Sequence, residues 1–272
     1  MFPEWYKEAE RLYTEEKLSY AKIGERLGVG RKTVSYWLRK GGHKSNIKYY
    51  PNVDHSKYRK YKISEDVFSV IDTEEKAYWL GFFYADANIS DRNNDIEVGL
   101  QEIDYEHLVK LQEFFQTDRP IYPKEKRENG KIYKGYRLIV ASSKIKSDLI
   151  RLGCYPRKSK TLQFPASDQV PSYLIHHFIR GYFDGDGCIT KANGGKSLAI
   201  ELLGTEEFLK KYLEWCNTNH QVLHSFNHCS VTMRAQHFGE EAKDILDRLY
   251  GEATIYLERK HNLYKNLCLA VQ

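Results

Sequence analysis

Two stretches of nine residues decide the fold: Trp79–Ala87, WLGFFYADA, and Ile179–Gly187, IRGYFDGDG. Each is largely apolar, carries small residues four positions apart, and reaches an acidic residue, Asp86 or Asp186, just before a predicted hairpin. Small residues at this spacing leave a stripe along which two helices can approach backbone to backbone. The sequence therefore predicts two packed helices whose C-termini present the two carboxylates together.

The segments that follow these stretches repeat in one order. Hydrophobic periodicity predicts helix, hairpin, helix, hairpin and helix over residues 67–165, and the same series over residues 166–272. Such an order predicts an α+β fold of tandem, pseudo-symmetric αββαββα repeats, each with a four-stranded sheet backed by helices.

Residues 1–42 have a different pattern, which predicts three short helices and a small core. A turn, Gly28-Val29-Gly30, separates the last two, and the third helix reads RKTVSYWLRK. This resembles the helix-turn-helix of site-specific recombinases and phage regulators, which implies DNA binding. A small helical bundle for protein contacts is the alternative. The exposed, polar positions predicted to contact DNA are Arg31, Lys32, Thr33, Ser35, Tyr36 and Arg39.

Positive charge is concentrated in the N-terminal part of the chain. Lys and Arg exceed Asp and Glu by 8 over residues 1–62, whereas the whole chain has a formal net charge of +5. Residues 43–66 are rich in Lys, Arg and Tyr and predict a basic linker. Such a linker could follow the phosphate backbone and order on DNA, or serve as a solvated tether.

Composition limits the classes of protein to which the chain can belong. The chain has 272 residues, 41% of them hydrophobic, and none of its apolar runs approaches the ~18–20 residues that cross a bilayer. The N-terminal segment lacks the apolar stretch of a signal peptide. Five scattered cysteines predict free thiols rather than disulfides or a cysteine zinc site. We expect a cytoplasmic protein without a membrane partner.

The two stretches resemble the motif of the LAGLIDADG homing endonucleases, and the resemblance covers roughly residues 66–265. The second copy keeps DGDG, whereas the first has Tyr84 where the family often has Asp and Ala87 where it has Gly. The resemblance implies a monomeric, site-specific enzyme that cuts both strands of DNA and leaves short 3′ overhangs. It also implies two sheets forming a DNA-binding saddle, and a gene in a mobile element of a phage, bacterium or organelle.

The paired carboxylates predict a metal site. Two carboxylates beside two negative helix ends repel each other unless a cation is present, and hard oxygen ligands favour Mg²⁺ over zinc. The resemblance implies two or three divalent ions shared by Asp86 and Asp186, with Ala87 and Gly187 as further ligands. An ordinary Gly-Asp-Gly turn is the alternative for either copy taken alone.

Two lysines are candidates for the same pocket. Lys158 follows Asp86 by 72 residues and Lys260 follows Asp186 by 74, each after an arginine. A lysine there could polarise the attacking water or stabilise charge on the phosphate. Lys160 is an alternative to Lys158, and a cation at a helix C-terminus is an alternative for both.

A position on the second strand of each repeat is often Gln in the family. Alignment places Gly99 there in repeat one and Glu201 in repeat two, which predicts unequal pockets and unequal cleavage of the two strands.

The sheets carry side chains suited to reading DNA, although any one of them could simply be solvated. Those predicted to contact DNA lie in the first hairpin loop, the long second hairpin and their counterparts in repeat two: Arg92, Asn93, Lys124, Lys126, Arg127, Lys131, Arg137, Lys191, Asn193, Lys196, His228 and Arg234. Two other functions remain open: a transcriptional regulator that binds DNA through a non-cleaving LAGLIDADG fold, and an intron maturase that binds RNA.

Overall fold

The structure is a computed structural model that describes residues 2–16, 18–43, 59–128, 130–192, 194, 197–224 and 233–269. The chain divides into two compact units, residues 1–58 and 59–272. Among the described residues, none of the helices combines the length and apolar character of a membrane span.

The described residues of the first unit form three helices: α1 (Tyr6–Thr14), α2 (Tyr20–Leu27) and α3 (Arg31–Lys40). The Ser19 hydroxyl accepts a hydrogen bond from the Lys22 backbone N–H and caps α2. Gly28 ends α2 with a φ of 65°, a left-handed conformation that glycine adopts without strain. The buried residues of the three helices form one small core: Tyr6, Ala9, Leu12, Tyr13, Ile23, Val34 and Leu38. The predicted helices are therefore present.

The second unit contains both repeats, of which the first follows residues 59–66. The elements of the first repeat are α4 (Glu74–Asp86), β1 (Ala87–Ile89), β2 (Asp95–Gln101), α5 (Tyr105–Phe114), β3 (Tyr122–Glu128), β4 (Lys131–Ala141) and α6 (Ser143–Arg151). The strands form an antiparallel sheet in the order β1-β2-β4-β3.

The second repeat follows the same plan. Its elements are α7 (Ile175–Asp186), β5 (Gly187–Ala192), β6 (Ser197–Gly204), α8 (Glu206–Cys216), β7 (Leu223–His224), β8 (Met233–Phe238), α9 (Gly239–Tyr250) and α10 (Glu258–Leu269). The sheet order is β5-β6-β8-β7. The predicted tandem α+β repeats are confirmed, but α10 was not predicted, because residues 258–269 have little amphipathic patterning.

Each sheet turns one face to a shared core. Ile96 and Val98 of β2 and Ile200 and Leu202 of β6 are buried in one cluster that extends through both repeats. Because successive strand residues point to opposite faces, the residues between them lie on the outer face of their sheet. Helices α4 and α7 run through this cluster, with most of their residues buried.

Residues 59–66 differ from the predicted linker of residues 43–66, because they belong to the second unit. The Lys62 backbone N–H donates to Asp118 Oδ1 at 2.7 Å, and the Ser64 backbone N–H donates to the Phe115 carbonyl at 2.8 Å. Arg59 forms an ion pair with Glu65. These contacts fix the segment against the end of α5, and residues 44–58 lie outside the described residues.

Candidate active site

Glycines bring α4 and α7 into direct backbone contact. A Cβ placed on Gly81 would lie 1.9 Å from the carbonyl oxygen of Phe178. A Cβ on Gly181 would lie at the same 1.9 Å from the carbonyl oxygen of Tyr78. No side chain fits at either position, so the two helices cross through a reciprocal pair of glycine–carbonyl contacts.

The crossing places the two acidic residues at adjacent helix ends. Asp86 ends α4 and Asp186 ends α7, and each directly precedes the first strand of its sheet. A Cβ on Gly185 would lie 3.1 Å from Asp86 Oδ2, so the first carboxylate extends over the backbone of the second helix. The predicted close placement of the acidic residues follows from the small residues of the two stretches.

The two carboxylates can be reached by solvent, although protein atoms surround them closely. Asp86 is accessible to solvent and Asp186 is partly accessible, although both are closely surrounded by protein. This crowding, together with the charge of Asp186, raises the pKa of Asp86 to about 6. The pKa of Asp186 is also raised by desolvation, against the opposing effect of Lys158 and Lys260. A pair of destabilised carboxylates attracts cations.

The predicted lysines reach the pocket from both repeats. Lys158 Nζ donates to the carbonyl oxygen of Ala87 at 2.6 Å, and Lys260 Nζ donates to that of Gly187 at the same distance. Both lysines are buried, whereas Lys160 is exposed. The geometry therefore favours Lys158 over Lys160 as the partner of Lys260.

The two lysines differ in their surroundings. Lys260 also donates to the carbonyl oxygens of Phe183 and Asp184, and it lies in the first turn of α10. Desolvation lowers the pKa of Lys260 to about 8, although the nearby carboxylate of Asp184 opposes the shift. Lys158 lies in a short 3₁₀ turn, Lys158–Lys160.

Asp184 is a buried polar residue that the sequence did not single out. Its carboxylate accepts hydrogen bonds from the Tyr78 hydroxyl at 2.8 Å, the Leu257 backbone N–H at 2.8 Å and the Tyr250 hydroxyl. At the equivalent position of repeat one, the Tyr84 hydroxyl donates to the carbonyl of Leu152. The sequence marks Asp184 only as the first Asp of the DGDG motif. Its hydrogen-bond partners Tyr78 and Tyr250 are brought to it by the fold and could not be identified from the sequence.

The alignment of the second strands was wrong. Glu201 pairs with Cys188, and the residue paired in the same way with Asn88 is Glu97, not Gly99. Gly99 is instead equivalent to Leu203. The alignment was shifted by two residues because alternate positions of β2 have the same side-chain direction and few features distinguish them. Both repeats therefore carry a glutamate here, and the predicted inequality at this position is absent.

Each of these glutamates is paired with an arginine. Arg137 Nη1 lies 3.5 Å from Glu97 Oε2, and Arg234 Nη1 lies 3.1 Å from Glu201 Oε2. Lys124 adds a contact of 2.8 Å to Glu97. The register makes Arg137 and Arg234 equivalent residues, since they oppose Gly99 and Leu203.

The other predicted DNA contacts are distributed unevenly. Strand register places Lys124, Lys126, Lys131 and Arg137 on the outer face of the first sheet. Arg127 and Lys191 lie on the opposite face of their sheets, the face that covers the core. Arg92 and Asn93 are exposed in the β1–β2 turn. Asn193, Lys196 and His228 lie outside the described residues.

In the first unit, the residues predicted to contact DNA all lie on α3. Five are exposed and Ser35 is partly exposed, while Val34 and Leu38 of the same helix are buried. The helix therefore presents one polar and one apolar face. The exposed residues are Arg31, Lys32, Thr33, Tyr36 and Arg39.

Comparisons with known proteins agree with this architecture. The model of a LAGLIDADG-like domain matches residues 174–214. The structure of the homing endonuclease I-WcaI bound to its DNA recognition sequence is 17% identical, with a TM-score of 0.53, over 79% of this chain and 95% of that one. The I-LtrWI LAGLIDADG homing endonuclease bound to target DNA is 11% identical, with a TM-score of 0.48, over 76% and 90% of the two chains. No curated protein matches the chain. Residues 174–214 are thus similar to a LAGLIDADG-like domain, and the chain has the fold of I-WcaI.

Proposed function

We propose that the protein is a site-specific endonuclease that cuts both strands of duplex DNA with divalent metal ions, leaving short 3′ overhangs. The observation that carries the proposal is the pair of carboxylates, Asp86 and Asp186, at helix ends held together by backbone contact. The fold shared with a homing endonuclease supports it.

The residues present fit hard divalent cations. The two carboxylates are hard oxygen donors, and so are the carbonyl oxygens of Ala87 and Gly187, each of which keeps a second lone pair beside its hydrogen bond from a lysine. Burial raises the pKa values of both carboxyl groups, and the two lysines offset only part of this shift. These four residues would hold two or three Mg²⁺ ions. Bound there, such ions lower the pKa of water and stabilise charge on the leaving oxygen.

The lysines complete the electrostatics of the site. Lys158 and Lys260 lie close enough to lower the pKa values of both aspartates, so their positive charge offsets part of the negative charge of the pair. Three hydrogen bonds to carbonyl oxygens hold the Lys260 ammonium group beside the pair, where its charge can stabilise negative charge on the phosphate.

We assign DNA contacts to the outer faces of the two sheets. The pairs Arg137–Glu97 and Arg234–Glu201 hold the arginine side chains against these faces, where their guanidinium groups can reach base edges or phosphates. The proposed domain plan has repeats at residues 67–165 and 166–272 and a helix-turn-helix at 1–42. The basic linker is reduced to residues 43–58, because residues 59–66 belong to the second unit. The helix-turn-helix would lengthen the recognised site on one flank.

The test is cleavage of a randomised duplex library in Mg²⁺, with sequencing of the cut ends. Asp86→Asn and Asp186→Asn should each reduce cleavage of the selected site by at least about 10²–10³-fold, because each variant loses one charged metal ligand. Asp72→Asn is the matched control, since Asp72 is an exposed aspartate paired with Lys76 outside the site.

Binding of the same duplex, measured by mobility shift, should remain within a few-fold of wild type in all three variants. Undiminished cutting by both site variants would refute the assignment. A specific mobility shift without cutting by the wild type would instead support the DNA-binding regulator.

A further inference from the structure

A second cluster of metal-binding side chains lies away from the carboxylate pair. His220 is in the loop between α8 and β7, His237 is on β8, and Glu241 is in the first turn of α9. One ligand atom from each of the three residues lies within 4.8 Å of those from the other two. His220 Nε2 is 2.7 Å from Glu241 Oε2, and His237 Nδ1 is 3.4 Å from Glu241 Oε1.

His237 is the unusual member of this cluster. Its side chain is fully buried, on the core side of its sheet and opposite Ile200. Within the described part of the chain, neither of its ring nitrogens has a hydrogen-bond partner of acceptable geometry. A buried polar group without a hydrogen bond destabilises the folded state, so a buried imidazole that lacks a well-formed hydrogen bond and faces another histidine and a glutamate calls for a ligand.

Repeat one shows that the fold does not need these residues. The strand register makes Val140 equivalent to His237, since they oppose the equivalent residues Ile96 and Ile200. Lys144 is equivalent to Glu241, because each lies four residues after the equivalent residues Val140 and His237. Arg119 is equivalent to His220, because each lies three residues before the equivalent residues Tyr122 and Leu223. Repeat one thus has an aliphatic residue, Val140, and two cationic residues, Lys144 and Arg119, at the three equivalent positions. This set cannot bind a metal ion.

We propose that His220, His237 and Glu241 form a binding site for a divalent transition metal ion of the zinc class. Two imidazoles and one carboxylate are ligands for such borderline ions rather than for Mg²⁺. Bound at about 2.0–2.2 Å from each ligand, the ion would connect the α8–β7 loop to β8 and α9. The site is separate from the carboxylate pair, and the proposal does not rest on the proposed function.

Zinc binding by the full chain tests the site. The titration uses zinc chloride against a chromophoric chelator, in an Asp86→Asn, Asp186→Asn background so that the carboxylate pair does not compete. One zinc ion should bind per chain. His237→Val, which introduces the residue of repeat one, and His220→Ala, at a half-exposed position, should each weaken this binding at least about tenfold.

Two stacked histidines provide the matched control. His176 and His177 on α7 have ring centroids 3.7 Å apart and lie beside Glu74. Their double replacement by alanine should leave zinc affinity unchanged. Wild-type affinity in both His237→Val and His220→Ala, or loss of binding in the His176/His177 variant alone, would overturn the proposal.

A second measurement covers the case of a poorly folded variant. Zinc should raise the thermal unfolding midpoint of the parent protein but not that of His220→Ala, whose midpoint without metal should match the parent, because His220 lies at the surface. An equal rise in the two proteins would also contradict the site.

Discussion

The two repeats share a backbone plan but differ in the polar residues around it. Both have the same strand order, the same glycine–carbonyl contact and a lysine 2.6 Å from the carbonyl after the acidic residue. Repeat two adds a buried carboxylate, Asp184, where repeat one has Tyr84. The features present in both repeats are those that position the carboxylate pair. We infer that substitutions at these positions are poorly tolerated.

The surroundings of the two lysines show the same contrast. Lys260 donates to three carbonyl oxygens from the start of α10, whereas Lys158 donates to one from a short 3₁₀ turn. Arg157, which directly precedes this turn, has a left-handed φ of 58°. Equivalent ammonium positions are therefore reached through different local structures.

The largest effect is expected at the helix crossing. Gly81→Ala and Gly181→Ala should each lower the free energy of unfolding by about 3 kcal/mol, because a methyl group would overlap a backbone carbonyl that cannot move away. Urea unfolding measures both variants. Equal losses are expected, since the two contact distances are the same.

Gly99→Ala is the control for this pair. A Cβ there would lie 3.1 Å from Lys124 Nζ, the flexible end of a surface side chain, so we expect a loss below about 1 kcal/mol. A Gly81 variant as stable as the Gly99 variant would show that the crossing in repeat one is not constrained in the way described.

A smaller effect concerns His107 of repeat one, which is equivalent to Phe208 of repeat two. Burial lowers the pKa of His107 from 6.5 to about 3, so the unfolded chain takes up a proton before the folded chain does. Its contribution to stability is complete above pH 6.5 and decreases as the pH falls towards 3.

Between pH 7 and pH 5, the wild type should therefore lose about 2 kcal/mol more than His107→Phe loses. Urea unfolding at the two pH values gives this difference, in which the contributions of all other titrating groups cancel. Parallel losses would mean that His107 takes up its proton at the same pH in the folded and the unfolded chain.

The smallest effect concerns Tyr84. Tyr84→Phe removes the hydroxyl that donates to the Leu152 carbonyl in a buried setting, and should cost about 1 kcal/mol. Tyr155→Phe, which removes a more exposed hydrogen bond to Thr161, should cost less than about 0.5 kcal/mol. Similar costs for the two would show that Tyr84 is held by packing alone.

Much of this architecture could be predicted from short-range patterns. Small residues at positions 81, 85, 181 and 185 predicted the helix crossing, because the absence of side chains is visible in any sequence. Alternating apolar residues predicted the strands, and the tandem order of elements predicted the sheets. The pairing of Asp86 with Asp186 followed from both.

What could not be predicted depends on partners distant in the sequence. Asp184 is satisfied by Tyr250 and the backbone of Leu257, more than 60 residues away, and this has no local signature. The register of β2 was misplaced by two residues because its polar positions resemble one another. Helix α10 was missed because it packs through a few residues, Lys260 and His261 among them, rather than through a continuous apolar stripe.

The reciprocal glycine contacts have a consequence for how sequence change can accumulate in this protein. The separation of Asp86 and Asp186 is set by contacts between main-chain atoms, which do not depend on the side chains of the outer sheet faces. Side chains on the outer faces of the two sheets can therefore drift, and the surface they form can diverge between the repeats, without moving the carboxylates. The crossing therefore separates the constraint on the carboxylate pair from the constraint on the surface of the sheets.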